Sequence, residues 1–257
     1  MSLVAIRVVA KNTYLEVIRD RVLYVLVMFA VVFLGLCFAI GQLSYDEIFR
    51  LSMSMGLAGI HICFIGLTIF LGSAFFYREI ESKTIYTIVV RPISRSQYLL
   101  GKYLGLLAVL SVLLLGFILA FTLIQLLMGL PILATTYSSF LGVFLESALL
   151  LTVTFFFSSI SKPFIAITTT VCFFLIGHWV SSLDALVAKS DSAVFYVAGN
   201  VIVRAFPQLE ALNWRPFAIA KVHVGLEDLS FGIYLTLAWS LLFFILSVMI
   251  FRRKDLV

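Results

Sequence analysis

The chain has 257 residues, 63% of them hydrophobic and only 12% charged, with 18 Lys and Arg against 13 Asp and Glu for a net charge of +5. A soluble domain carries roughly 45–50% apolar and about 25% charged residues and must keep a wettable surface. Soluble enzymes, nucleic-acid binders and disordered chains are thereby excluded, and the chain belongs in a bilayer. In such a protein a small positive excess reports orientation rather than a polyanionic partner. Cys37, Cys63 and Cys172 all fall in apolar runs, an odd set that does not read as a disulfide framework.

From the N-terminus, Leu3, Ile6, Ala10, Tyr14 and Val17 recur at helical spacing while Asn12, Glu16 and Arg19 point the other way. This predicts an amphipathic helix in the interface plane over residues 1–21, with Arg7 and Lys11 near the headgroups. A cleaved signal peptide is not expected, because the first apolar run starts late and no small-x-small site follows it. Six stretches are then long enough to cross a hydrocarbon core, which takes about 20 helical residues. They are Val22–Gly41, Met53–Phe76, Tyr103–Met128, Phe140–Ile160, Phe164–Ser182 and Phe231–Phe251. Gly129-Leu130-Pro131 ends the third, and Ser161-Lys162-Pro163 makes a tight hairpin between the fourth and fifth.

With both termini inside, thirteen of the 18 Lys and Arg lie in cytoplasmic segments, among them Arg7, Arg78, Arg95, Lys102, Lys162 and Arg252. The positive-inside rule therefore predicts a multi-pass protein with cytoplasmic N- and C-termini. Two polar segments exceed ordinary turns. The inner one, Tyr77–Lys102, begins with charged residues and a short predicted helix, which Pro92 stops. Ser94 with Gln97 three residues on then reads as a capping box that opens the next helix. The outer one, Leu183–Ser230, must carry structure of its own. Within it Ser192–Phe206 is apolar but short, and predicts an interfacial or re-entrant helix closed by Pro207. The fold expected is all-α: six transmembrane helices, the N-terminal interfacial helix and short outer re-entrant helices between spans five and six, in one permease-like domain over 1–257.

Absent motifs narrow the chemistry. There is no G-x-x-x-x-G-K-[ST], H-E-x-x-H, C-x-x-C or G-x-S-x-G, so the chain offers no phosphate cradle, zincin site, redox pair or nucleophile elbow. Uphill transport would need an ion gradient or an ATP-hydrolysing partner.

The inner segment carries a resemblance. Glu81-Ser82-Lys83-Thr84-Ile85, then Val89-Val90-Arg91-Pro92-Ile93-Ser94-Arg95, then Tyr98-Leu99-Leu100-Gly101-Lys102 resembles a signature of ABC-2-type permeases between spans two and three. Lys83 stands where that family usually has Gly. The N-terminal helix, the six spans, the outer segment and the ending Phe251-Arg252-Arg253-Lys254-Asp255-Leu256 are similar as well. The small permeases of nitrous-oxide-reductase maturation and gliding motility are more similar than the polysaccharide exporters.

The resemblance implies a membrane-spanning permease subunit of an ATP-driven transporter, an exporter in the inner (cytoplasmic) membrane. It implies two copies of a separate ABC ATP-binding subunit and a second permease copy or homologous permease as partners. ATP and Mg would sit on the partner subunit, with no cofactor on this chain. Residues 78–90 would be the cytoplasmic coupling helix, with Arg78, Glu79, Glu81, Lys83, Thr84 and Ile85 meeting the partner; Glu79, Glu81 and Lys83 can give directional charge contacts, and Ile85 part of an apolar anchor.

Two rivals expect other features. A gradient-driven secondary transporter expects inverted repeats and paired intramembrane ions, and the membrane anchor of a redox complex expects His, Asp or Glu clustered at one depth. His61 lies in the second span, Glu146 in the fourth and His178 near the outer end of the fifth. The two histidines read as lone core residues about one turn apart in depth rather than haem ligands, so no metal site and no cluster is expected. Glu146, seven residues after Ser139 and so about 10 Å down its helix, must be protonated, paired, or turned to a wet cavity. Ser147, Thr152, Arg204, Arg215 and Lys221 are its candidate donors, and its role is either packing or contact with substrate or gate.

Overall fold

The computed structural model describes residues 3–41, 48–81, 94–187, 189 and 193–253. Helices follow one another as α1 (Leu3–Ile18), α2 (Arg21–Gly41), α3 (Ile48–Glu81), α4 (Arg95–Leu127), α5 (Ala134–Ile160), α6 (Pro163–Val187) and α7 (Ala193–Ala205). A 3-10 turn at Leu209–Leu212, the short α8 (Arg215–Ile219) and the long α9 (Leu226–Arg253) complete the chain. The described residues contain no strand.

Five helical stretches are long and apolar enough to cross a membrane: Ile48–Ala74, Arg95–Leu127, Ala134–Ile160, Pro163–Val187 and Leu226–Phe251. The remaining expected span, Val22–Gly41, coincides with α2, within which Leu23–Leu36 forms a shorter apolar stretch. The helices outrun the apolar runs at their ends because polar flanks continue them; α5 starts at Ala134 and takes Thr135, Thr136 and Ser139 into buried positions. Local stops follow the turn chemistry. Gly129 takes a φ of +66° just past the end of α4, where a side chain would be strained, and Pro163 opens α6 at a first-turn position that needs no N–H. The Ser94 hydroxyl accepts from the Gln97 N–H at 3.3 Å, and the Gln97 side chain accepts from the Ser94 N–H at 3.3 Å; the expected capping box is present.

Two helices form the centre. Most of α3 and α5 is buried within the bundle, whereas α4, α6 and α9 turn most of their length outward. Phe64, Phe121, Phe140 and Phe155 are fully enclosed between them; Phe121 meets Phe140 edge to face at 5.6 Å between ring centres. Outward-facing Leu119, Leu127, Phe164 and Trp179 suit a lipid solvent rather than water.

The predicted stripe on α1 exists, but it packs on protein. Ile6 and Val17 are buried and Arg7, Lys11 and Asn12 exposed, as expected of the two faces, and the buried face lies along the start of α4. The approach is close because α4 presents Gly101 and Gly105 there. A Cβ on Gly105 would fall 2.7 Å from both the Ala10 carbonyl and the Thr13 Cβ. Beside them the Lys102 ammonium donates to the Glu16 carboxylate at 3.4 Å. At 33 residues α4 is about 50 Å long, well beyond a ~30 Å hydrocarbon core, which leaves length at its start to receive α1.

Candidate functional site

The expected coupling residues divide at the end of α3. Arg78, Glu79 and Glu81 belong to the last turns of that helix, while Lys83, Thr84 and Ile85 lie outside the described residues, as does most of 78–90. Residues 75–81 continue α3 in one unbroken helix, about 10 Å beyond Ala74.

A second site lies in the middle of the bundle, where three spans each contribute one ionisable side chain. His61 comes from α3, Glu146 from α5 and His178 from α6. Counted from the shared end of the bundle, they stand about 20 Å after Ile48, about 18 Å after Ala134 and about 14 Å before Val187. Nε2 of His61 and Oε2 of Glu146 are hydrogen-bonded at 2.7 Å, and Nε2 of His178 stands 3.6 Å from Oε1 of the same carboxylate. Glu146 is 1% exposed and His61 4%. The imidazole rings are 5.8 Å apart, and Phe174 closes the side at 5.9 Å from His61 and 4.6 Å from His178. Glu146 Oε1 and both ring nitrogens of His178 are buried without a hydrogen-bond partner.

The outer segment supplies the lid. Leu209, Leu212 and Trp214 are buried, pressed onto α5 and α6 where Gly142 and Gly177 leave room. A side chain at Gly142 would run into the Leu212 carbonyl and the Trp214 ring, and one at Gly177 would meet Leu209 at 2.7 Å. The Ser139 hydroxyl holds the turn by donating to the Trp214 carbonyl at 3.0 Å. This seats Glu210 4.0 Å from His178 Nε2, with its carboxylate 43% exposed. Asn213 donates to Glu210 at 2.7 Å and accepts from Arg215 Nε at 2.7 Å. Burial pulls the Arg215 guanidinium below its ordinary value, while Glu146 and Glu210 act to keep it charged. A partly open acid thus sits above a closed carboxylate, with one cation alongside.

A carboxylate between two imidazoles can hold or pass a proton, grip a cationic group, or ligate a metal ion. An apolar hollow of about 490 Å³ between α2, α3 and α6, lined by Phe29, Phe33, Ile62 and Phe70 among others, offers no charged group for such chemistry.

Several sequence expectations are corrected here. The chain does assemble His and Glu at one depth, contrary to the expectation of no cluster. The helix of Glu146 begins at Ala134 rather than near Ser139, so the residue stands about 18 Å along it. Its partners are the two histidines and not Ser147 or Thr152, whose hydroxyls donate to the Val143 and Leu149 carbonyls of their own helix. Of the proposed cations, Arg215 acts on it through space. Glu210 and Asn213 carried no sequence signal, since their place depends on how the outer turn docks.

Fold and site define an integral membrane protein of packed spanning helices with a buried polar centre. The sequence matches the model of the ABC-2 family transporter protein over residues 17–181, a stretch that holds the end of α1, the whole 78–90 segment, His61, Glu146 and His178. The chain belongs to the ABC-2 family of transporter proteins. No curated protein matches the sequence.

Proposed function

We propose that the chain is the permease subunit of an ATP-driven exporter, with six spans and both termini cytoplasmic in the inner membrane. Two copies of a separate ATP-binding subunit serve a pair of permeases, and residues 78–90 dock on them. Membership of the ABC-2 family across residues 17–181 carries this reading. The physics of α3 supports it. A helix that runs unbroken from its apolar stretch to Glu81 transmits displacement as a stiff lever, where a flexible loop would absorb it. The α1–α4 clamp gives the same end of the bundle a second rigid element.

The gradient-driven reading gains one observation, the His61–Glu146–His178 cluster, since such carriers place ionisable groups near the membrane middle. Co-expression with the ATP-binding subunit separates the two. An ATP-driven permease co-purifies with that subunit and stimulates its ATP hydrolysis, and Glu81→Arg weakens the association by tenfold or more while leaving insertion intact. Unchanged assembly and stimulation in Glu81→Arg removes the docking segment, and transport by the chain without any ATPase removes the ATP-driven reading.

A further inference from the structure

We propose that His61, Glu146 and His178 form a binding site for a divalent cation of the zinc class inside the helix bundle, with Glu210 as the entry ligand above it. The reading concerns these residues alone and stands whether or not the chain couples to an ATPase.

The donor set is two imidazole nitrogens and one carboxylate, a combination that suits a borderline cation such as Zn²⁺ and recurs in sites that keep a fourth position open. The three ligand atoms lie within 4.8 Å of one another. A tetrahedral ion with bonds of about 2.0–2.1 Å sets its donors roughly 3.3 Å apart. The observed separations, 2.7 Å from His61 Nε2 to Oε2 and 3.6 Å from His178 Nε2 to Oε1, straddle that spacing, with one carboxylate oxygen turned to each imidazole. The ligands arrive from three different helices, each rigid and packed, which fixes their directions before any ion enters.

The second observation is the state of the polar atoms. Glu146 Oε1, enclosed on a residue 1% exposed, lacks a hydrogen-bond partner, as do both nitrogens of His178. Buried polar atoms left unmatched are costly, and an ion accepted by Oε1 and His178 Nε2 would satisfy two of them together. The His61–Glu146 hydrogen bond would give way as its proton leaves, the usual exchange of protons for metal. Charge is favourable too. Two carboxylates, the enclosed Glu146 and the partly open Glu210, stand against one guanidinium, Arg215, so with both imidazoles neutral, as metal binding requires, a divalent ion meets an excess of acid. Glu210, half in water and 4.0 Å from His178 Nε2, stands where an ion shedding its hydration would first be held. Asn213 fixes its direction by donating to it at 2.7 Å.

The test uses the full chain, purified in detergent with its affinity tag removed. Zn²⁺ binding is measured by equilibrium dialysis with metal analysis, and Co²⁺ is used as a spectroscopic probe. The expected result is one Zn²⁺ per chain, a higher melting temperature with Zn²⁺, and the intense visible bands of four-coordinate cobalt. His178→Ala and Glu146→Gln weaken binding at least tenfold and abolish those bands, and Glu210→Gln slows Zn²⁺ uptake. His223→Ala, an exposed histidine outside the cluster, changes nothing. Absence of stoichiometric binding to the wild-type chain overturns the site. Equal binding in all variants marks the metal as adventitious and overturns it too. Should His178→Ala fail to fold, His178→Gln, which keeps a polar group of similar reach, replaces it, and the wild-type cobalt spectrum decides independently.

Discussion

Nε2 of His61 and Oε2 of Glu146 meet at 2.7 Å although 85 residues separate them in the chain. The contact ties the two most buried helices, α3 and α5, at their middle, where neither lipid nor water can serve as a partner. A carboxylate facing hydrocarbon would cost several kcal/mol; here imidazoles on two sides and Arg215 beyond them take the place of solvent.

Removing that carboxylate leaves two imidazoles, the buried His61 and the half-buried His178, facing a gap. Glu146→Ala should lower stability by about 1–3 kcal/mol, the usual cost of orphaning buried polar groups. Glu146→Gln keeps the shape and one acceptor and should cost less than half as much. Thermal unfolding in detergent measures both, and a Glu146→Ala protein as stable as wild type would show that the cluster does not hold the helices together.

The clamp between α1 and α4 rests on space more than on charge. Gly105→Leu forces atoms into the Ala10 carbonyl and Thr13, so it should cost about 1–3 kcal/mol, as overpacking does, and should free α1. Limited proteolysis near Arg7 and Lys11 reports that release. Glu16→Ala, which deletes a half-exposed partner of Lys102, should change stability by less than about 1 kcal/mol. The reverse ranking would mean the ion pair, not the close approach, seats α1.

Docking of the outer turn depends on Gly142. Gly142→Leu cannot coexist with the Leu212 carbonyl and Trp214 where they now lie, so the turn should lift. A single cysteine at Ala211 in a chain lacking Cys37, Cys63 and Cys172 should then react faster with a water-soluble thiol reagent, by tenfold or more. No change in rate would place the turn elsewhere than on α5.

Orientation is checked by labelling intact cells. In the same cysteine-free background, Lys162→Cys and Val222→Cys sit at exposed positions at opposite ends of the bundle. An impermeant thiol reagent should modify Val222→Cys alone before lysis. Modification of Lys162→Cys instead would invert the topology read from the Lys and Arg distribution.

Helix existence was legible because a lipid solvent demands long apolar runs with internally bonded backbone, and Pro163, Gly129 and the Ser94–Gln97 box act within a few residues. Helix starts were less so. Ala134 precedes the apolar run at Phe140 since threonines and serines continue a helix at no visible cost in pattern, and that shift puts Glu146 farther from its helix start. The α1 stripe was read correctly as a face, but a stripe does not say whether lipid or another helix covers it.

The sequence by itself determined that the chain is a helical membrane protein, which segments are apolar enough to cross, and the resemblance now matched over residues 17–181. Each of these rests on composition, local turn chemistry or contiguous motif. Only the tertiary structure decided that His61, Glu146 and His178 share one pocket, and that Glu210 and Arg215 overlook it. Which face of α3, α5 and α6 turns inward is set by packing around Phe64, Phe121 and Phe155 and by the room that Gly142 and Gly177 leave. Three ionisable residues on three separate helices carry no mutual signal until that packing brings them together.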